Sequence, residues 1–467
     1  MIDPKIIREY DIRGIYNVTL KDRDAFLVGY AFAIYLKETY NESSYVVNVC
    51  RDGRLSSPQI VKFLMAGLIK GGVVVRDIGV GPTPLLYFSN FASDVTAGIM
   101  VTGSHNPPEY NGFKFIVKQK AFFGDKIKEI FKISQRFDDV LIMDECSDRE
   151  ELSFLDRYVN RVSRDYFPKS SKKIVWDCGN GAVGDVVNQM CKNLPGQHII
   201  LNEKIDGTFP AHHPDPTVIG NLTQLIEKVI QEKADLGVAF DGDGDRIGVV
   251  DSKGRIVWGD QILVILSKDV LEKNPGASII ADVKASKVFF DEVTKSGGKA
   301  LMWKTGHSHI KQKMADVGSP LAGEMSGHIF IADNYYGFDD AIYAAVRLIS
   351  YLDRKNLSLS AVYDELPKVY NTTEIRVQCD DDKKFVVIEK LKWYFDEHKI
   401  IFNDVDGIRY DFPGGWGLIR ASNTQDVLVC RFEAMSSNDI KTQFFFVASL
   451  LENYGLSMTE EHLVINH

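Results

Sequence analysis

The chain has little that would hold it together covalently. Its six cysteines (Cys50, Cys146, Cys178, Cys191, Cys379 and Cys430) are scattered, with no close pair of metal-ligand or redox spacing. Most lie in or beside apolar, strand-like runs, which suits reduced core thiols of a cytoplasmic protein. No run of about 18 apolar residues occurs, so no membrane span is expected. The opening residues, MIDPKIIREYDIRG, are charged from the start and lack the apolar centre of a secretory leader. Positive charge is also short. A net charge of −9 and a pI near 5.7 argue against nucleic acid or an anionic membrane as the main partner. A local basic pocket for an anionic small molecule stays open.

What is present is an ordinary globular composition, 45% apolar and 25% charged, over 467 residues, enough for three or four domains. Strand and helix patterns alternate. YVVNV (45–49) leads into SSPQIVKFLMAGLIKG, where Ser57 can cap a helix and Pro58 fits its first position, and GVVVRDIGV (72–80) returns as a strand. This order predicts parallel or mixed sheets covered by helices. The unit recurs. Residues 46–54, 173–182 and 278–286 each run from an apolar strand into a polar turn. Downstream of each lies a second strand-to-loop junction, at 99–107, 236–246 and 321–330. Beyond about residue 365 the texture becomes that of a smaller α+β unit. The expected division is 1–150, 151–253, 254–365 and 366–467, with the charged stretch 144–166 read as a connecting helix across the first boundary.

Four loops carry groups capable of chemistry. TGSHNPPEYNGFK (102–114) sits between two strand-like runs and is broken by Gly103, Pro107, Pro108 and Gly112, so it reads as a rigid polar loop that presents Ser104. In DGDGDR, the residues Asp241, Asp243 and Asp245 alternate with glycine; in an extended segment their carboxylates would point the same way, and glycine lets the backbone fold tightly around a small ion. Three converging carboxylates call for a divalent cation with oxygen ligands, Mg²⁺ or Ca²⁺. The loop is no EF-hand, because its sixth position is Arg246 and its twelfth is Ser252. A cation held by three carboxylates keeps open positions, and a phosphate oxygen on Ser104 would fill one. GEMSGH offers Glu324, Ser326 and His328, groups that hydrogen-bond sugar hydroxyls, and WKTGHSHIK upstream supplies Lys304, His307, Ser308 and His309 as acid–base candidates. Finally, RASNTQDVLVCRFEA sets Arg420, Ser422, Asn423 and Thr424 before a strand, with Arg431 within it, as donors for a phosphate dianion.

Taken in order with YDIRG (10–14) and DGTFPAHHPDPT (206–217), these stretches resemble the α-D-phosphohexomutase superfamily, in particular its bacterial phosphomannomutase/phosphoglucomutase group, along essentially the whole chain. A small departure is Ile7, where the family often has phenylalanine. The resemblance implies a heart-shaped molecule: three similar mixed-sheet α/β domains and a C-terminal α+β domain around a central cleft. It implies a phosphoserine at Ser104, and Mg²⁺ held by Asp241, Asp243 and Asp245 beside it. Glu324 and Ser326 would grip the 3- and 4-hydroxyls of the sugar, and Arg420, Ser422, Asn423 and Thr424 the phosphate that is not reacting. Tyr10, Arg13, Arg246, Lys284 and His307 match further cleft positions, His105 and Lys114 flank the serine, and His328 belongs to the sugar loop. The implied reaction interconverts hexose 6-phosphate and hexose 1-phosphate through a hexose 1,6-bisphosphate, in a monomer. His307 or the His105/Lys114 pair is expected to move the proton. Mannose and glucose phosphates are both admissible substrates, as are a glucose-preferring or glucosamine-phosphate mutase. A serine phosphatase, or a non-catalytic sugar-phosphate-binding protein, would reuse parts of the same equipment.

Overall fold

The computed structural model describes residues 2–137, 148–423 and 425–466. Three sheets in it share one wiring. In the first, Val46–Arg51 lies parallel between Val74–Val80 and Ala97–Val101, and the last of these turns back antiparallel into Tyr110–Val117. In the second, Lys173–Asp177 lies parallel between Gln197–Leu201 and Leu236–Phe240, which turns back into Ile247–Asp251. In the third, Ser278–Asp282 lies parallel between Lys299–Trp303 and Leu321–Gly323, which turns back into Ile329–Ile331. The repeat suspected from strand-to-loop junctions is therefore a repeat of topology. Parallel neighbours require crossovers, supplied by helices such as Ser57–Lys70 and Thr83–Ala92 in the first unit. The strands that end in the functional loops are buried throughout, at Ala97–Val101, Leu236–Phe240 and Leu321–Gly323, as strands covered on both faces must be.

The first three units share one apolar core, which runs from Leu86 and Tyr87 through Trp176 and Phe240 to Ile329 and Ile342. The fourth unit is built differently. Its mostly antiparallel sheet runs in the order Phe402–Asn403, Ile408–Phe412, Gly415–Ala421, Val427–Ala434, Tyr370–Thr372, Ile465–Asn466. Helices Asp381–Glu397 and Ser437–Glu452 accompany it. It has its own core around Leu391, Phe395, Phe432 and Phe444, and meets the third unit through a small cluster of Val283, Trp416 and Leu418.

Two local expectations are corrected. Ser57 does not cap its helix: it is the first residue inside it, after Ser56 at the cap position, and its hydroxyl donates to Asp52 Oδ1 at 2.6 Å while accepting from Asn111 Nδ2 at 2.9 Å. The expected connecting helix is shorter than read. Residues 144–147 lie outside the described residues, Arg149–Glu151 pairs parallel with Val74–Val80 as an edge strand, and the helix covers only Leu155–Ser163. Charge suits an exposed edge, and there Glu150 takes Arg76 at 2.8 Å. Among the described residues no helix is long and apolar enough to cross a membrane, and the five described cysteines are free thiols; Cys146 lies outside the described residues.

Candidate active site

The three hairpin loops of the first three sheets, each following the buried parallel strand at its carboxyl end, meet in one place, where sites of parallel sheets form. In the first loop Ser104 adopts φ 53°, a left-handed conformation unusual for a residue with a side chain, and is 2% exposed. Its Oγ stands 3.3 Å from His105 Nδ1 and 3.4 Å from Asp241 Oδ2. The Ser104 N–H donates to Thr102 Oγ1 at 2.8 Å, and its carbonyl accepts from Arg54 Nη2 at 2.7 Å. Gly103 is required here, since a Cβ would lie 2.6 Å from the Arg54 guanidinium carbon.

The second loop is a tight turn of the kind its glycines allow, so the aspartates converge by folding and not by extended alternation. Gly244 takes φ 75°, and Asp241 Oδ1 accepts the N–H groups of both Asp245 and Arg246 at 3.1 Å. The turn brings Asp241, Asp243 and Asp245, all fully buried, within 4.8 Å of one another. Lys114, on the hairpin strand of the first sheet, donates to Asp243 Oδ2 at 2.7 Å and Asp245 Oδ2 at 2.5 Å, and Thr83 Oγ1 reaches Asp243 Oδ2 at 2.5 Å. Burial raises the Asp243 carboxyl, but Lys114 outweighs it and holds the group at about 2. Burial would likewise depress Lys114, yet the aspartates keep it well above its ordinary value, so it stays charged. At Asp241 the relief from Arg246 and Lys114 is outweighed. Burial and then Asp245 and Asp243 push it far upward. The remaining oxygens, Oδ1 of Asp243 and Oδ1 of Asp245, are buried and accept no hydrogen bond, the second with His328 Nδ1 3.5 Å away. Orphaned carboxylate oxygens facing a surplus negative charge fit a hard divalent cation.

The third loop interlocks with the second: Ile247 N–H donates to the Gly327 carbonyl at 3.0 Å, and Gly327, at φ 93°, leaves no room for a side chain, since a Cβ would lie 2.5 Å from Ile247 O. Glu324 is buried and accepts the Gly306 N–H at 2.6 Å; burial pushes its carboxyl upward. Ser326 is half-buried at the same turn. His328 Nε2 accepts from Arg246 Nε at 3.0 Å, so its Nδ1 carries the proton and faces Asp339 Oδ2 at 3.3 Å. His307 stacks on His328 with ring centroids 5.6 Å apart and also faces Asp339, which Lys311 pairs at 2.8 Å. Burial lowers both His105 and His307 well below the ordinary imidazole value, with Arg246 and Arg13 adding at the first and Lys311 at the second. Both are neutral imidazoles.

The outer residues close the ring. Arg13 Nη1 donates to Asn106 Oδ1 at 2.6 Å. Tyr10 donates to the Thr305 carbonyl at 2.8 Å and accepts from Asn423 Nδ2 at 2.7 Å, which links the first unit to the fourth. Lys284 pairs with Glu374 at 2.8 Å, and Arg420 Nε with Asp406 Oδ2 at 2.9 Å. Ser422 Oγ accepts the Gln425 N–H at 3.2 Å, while Thr424 lies outside the described residues. Arg431, expected with this turn, instead contacts the Lys284 carbonyl and Met325 Sδ, because its strand position points it at the third unit. The sequence reading left Asp52, Arg54, Thr83, Asp339, Glu374 and Asp406 without roles. Only the first two had a visible signal, a charged RDGR turn ending a buried strand as the other site turns do.

Four family models match the chain: phosphoglucomutase/phosphomannomutase alpha/beta/alpha domain I at residues 4–140, domain II at 153–254, domain III at 258–370 and the C-terminal domain at 374–447. A phosphomannomutase/phosphoglucomutase of Pseudomonas aeruginosa is 42% identical over 94% of both chains. A phosphoglucomutase of Neisseria meningitidis is 39% identical over 92% of this chain and 93% of that one. Among solved structures, a phosphoglucomutase/phosphomannomutase family protein from Burkholderia thailandensis superposes with a TM-score of 0.86 at 39% identity, covering 95% of this chain and 96% of that one. The four matched domains, these relatives and the assembled loops agree: the chain belongs to the phosphoglucomutase/phosphomannomutase family, mutases that interconvert hexose 6-phosphates and hexose 1-phosphates.

Proposed function

We propose that Ser104 carries the phosphoryl group and that the site works on both mannose and glucose phosphates. The observation that carries this reading is the placement of Ser104 Oγ 3.4 Å from Asp241, beside two orphaned aspartate oxygens and the charged Lys114. Asp241, Asp243 and Asp245 would hold Mg²⁺, with an oxygen of the Ser104 phosphate as a further ligand. When bound, the ion neutralises negative charge on the transferring phosphoryl group.

The residues of the chain do the rest. The phosphoryl group leaves Ser104 Oγ for the free hydroxyl of a bound hexose monophosphate; the O–P bond at serine breaks, the O–P bond at the sugar forms, and the hydroxyl proton goes to a base. Lys114 is engaged with Asp243 and Asp245, which leaves the imidazole of His307 or His105 as the acceptor. The freed Ser104 Oγ takes up one proton in exchange, and His105, at 3.3 Å from Oγ, is placed to deliver it. The resulting hexose 1,6-bisphosphate turns over, and its other phosphoryl group returns to Ser104. Arg420, Ser422, Asn423 and Thr424 bind whichever phosphate is idle, with Tyr10, Arg13, Arg246, Lys284 and His328 lining the path. Glu324 and Ser326, addressing the 3- and 4-hydroxyls, leave the 2-hydroxyl epimers alike. Every group named comes from one chain, so the site is complete in a monomer.

Intact-mass measurement after incubation with glucose 1,6-bisphosphate tests the reading: one added phosphate, mapped to Ser104, is expected. Phosphate mapped elsewhere, or none, overturns it. For the sugar, kcat/KM with mannose 1-phosphate and glucose 1-phosphate is expected to agree within about 100-fold, and a wider gap would assign one sugar.

A further inference from the structure

We propose that Arg54 is a positioning residue for the phosphoryl carrier: it holds the Ser104 backbone in its left-handed conformation, and Phe209 of the second unit ties that hold to the metal turn. The inference rests on the assignment of Ser104 made above. A non-glycine residue at φ 53° is strained and persists only where its surroundings impose it. Arg54, 1% exposed, uses every guanidinium N–H to do so. Nε donates to Asp52 Oδ2 at 3.0 Å, Nη1 to the carbonyls of Pro107 at 2.5 Å and Tyr110 at 3.1 Å, and Nη2 to those of Ser104 and Asn106, both at 2.7 Å. Asp52 in turn accepts the Thr102 hydroxyl at 2.7 Å, and that hydroxyl oxygen accepts the Ser104 N–H at 2.8 Å. The N–H and the carbonyl of the nucleophile therefore both end on the same buried ion pair.

The DGTFPAHHPDPT segment, to which no role has yet been given, completes the hold. A Cβ on Gly207 would lie 2.4 Å from Arg54 Cα, and the Phe209 ring, 8% exposed, has its centroid 5.2 Å from the guanidinium carbon. Farther along, Pro214 lies 3.4 Å from where a Cβ of Gly242 would stand, and that same Cβ would meet Ser104 O at 2.6 Å. One segment thus packs against the arginine behind the serine and against the acidic turn. Phosphoryl transfer depends on in-line placement, and a displacement of about 1 Å can lower the rate about 100-fold. Only a planar guanidinium offers donors to four loop carbonyls at once; an ammonium keeps the charge and loses the fork.

The test compares the parent chain with Arg54→Lys and Phe209→Leu. It reads the rate of Ser104 phosphorylation by glucose 1,6-bisphosphate, by intact mass, and steady-state kcat and KM for glucose 1-phosphate. Arg54→Lys is expected to lower kcat and the phosphorylation rate about 100-fold while KM stays within about threefold; Phe209→Leu is expected to lower both rates about 3–10-fold. A kcat for Arg54→Lys within about threefold of the parent, or a loss carried by KM, overturns the inference. If Arg54→Lys does not fold, by circular dichroism, Phe209→Leu decides, and a parental phosphorylation rate in it overturns the inference. A parent that takes no phosphate on Ser104 instead overturns the assignment beneath it.

Discussion

The serine turn and the phosphate turn of the fourth unit are each organised by a buried arginine, and the two arginines are used in opposite ways. Arg54 gives its donors to the backbone of its own loop and to Asp52. Arg420 gives Nε to the side chain of Asp406, which also accepts the Thr305 N–H at 3.1 Å, and its turn touches the first unit through the Asn423–Tyr10 hydrogen bond. The strands that carry the serine turn face two cores, the first unit's own through Val101 and Phe113 and the one shared by three units through Met100 and Ile116, whereas the fourth unit has its own core and a small contact cluster with the third. In the proposed cycle one atom, Ser104 Oγ, reacts in both half-reactions and has to stay put. The idle phosphate changes from one end of the sugar to the other, so its donors are held by partners that a ligand can displace.

The comparison can be broken most severely at the serine. Ser104→Ala is expected to lower mutase turnover by about four orders of magnitude or more, because no other group can carry the phosphoryl. Substantial activity of the purified variant in a coupled assay would end the comparison. Next comes the acidic turn: stripping divalent cations with a chelator should reduce kcat by about three orders of magnitude, with recovery on adding Mg²⁺, whereas unchanged turnover would leave the orphaned aspartate oxygens without a purpose. On the exchangeable side the effect should move from kcat to KM. Arg420→Ala is expected to raise KM for hexose monophosphates about 10–100-fold with a smaller change in kcat, and an unchanged KM would remove this residue from phosphate binding. The smallest effect is expected from Tyr10→Phe, which deletes the hydroxyl between Thr305 and Asn423. A rise in KM of about 3–10-fold would sharpen the view of a lightly latched fourth unit, and a loss comparable to that of Ser104→Ala would contradict it.

Much of this was legible before any coordinates. Strand patterns ending in loops of Gly, Ser, His and acids marked the three hairpins, because both the strand period and the turn chemistry are local. Legibility stopped where a side chain's role depends on what faces it. The alternation of Asp241, Asp243 and Asp245 with glycine marks them as converging, but whether by extension or by a fold is decided by a turn with Gly244 in the left-handed region. Lys114 read as a proton carrier as readily as a counterion until it was placed between two aspartates. Asp339 faces His328, a near neighbour in sequence, and His307, a more distant one, and nothing local distinguishes it from any other acid. Arg149–Glu151 looked helical by charge, and its pairing with a distant strand decided otherwise.

By itself the sequence determined which groups this protein brings to its chemistry: one serine in a proline-stiffened loop, three aspartates, a Glu-Ser-His loop and an arginine turn, in an order shared with one family. These are properties of residue type and near-neighbour spacing. The tertiary structure alone decided which charges cancel, which imidazoles stay neutral and which arginine grips backbone rather than ligand. Those outcomes depend on burial and on contacts across hundreds of residues, as where Asn423 meets Tyr10 or Lys114 meets Asp243. At the opening of the phosphoserine loop the two meet: the sequence supplied Ser104, and the fold supplied the arginine that holds it.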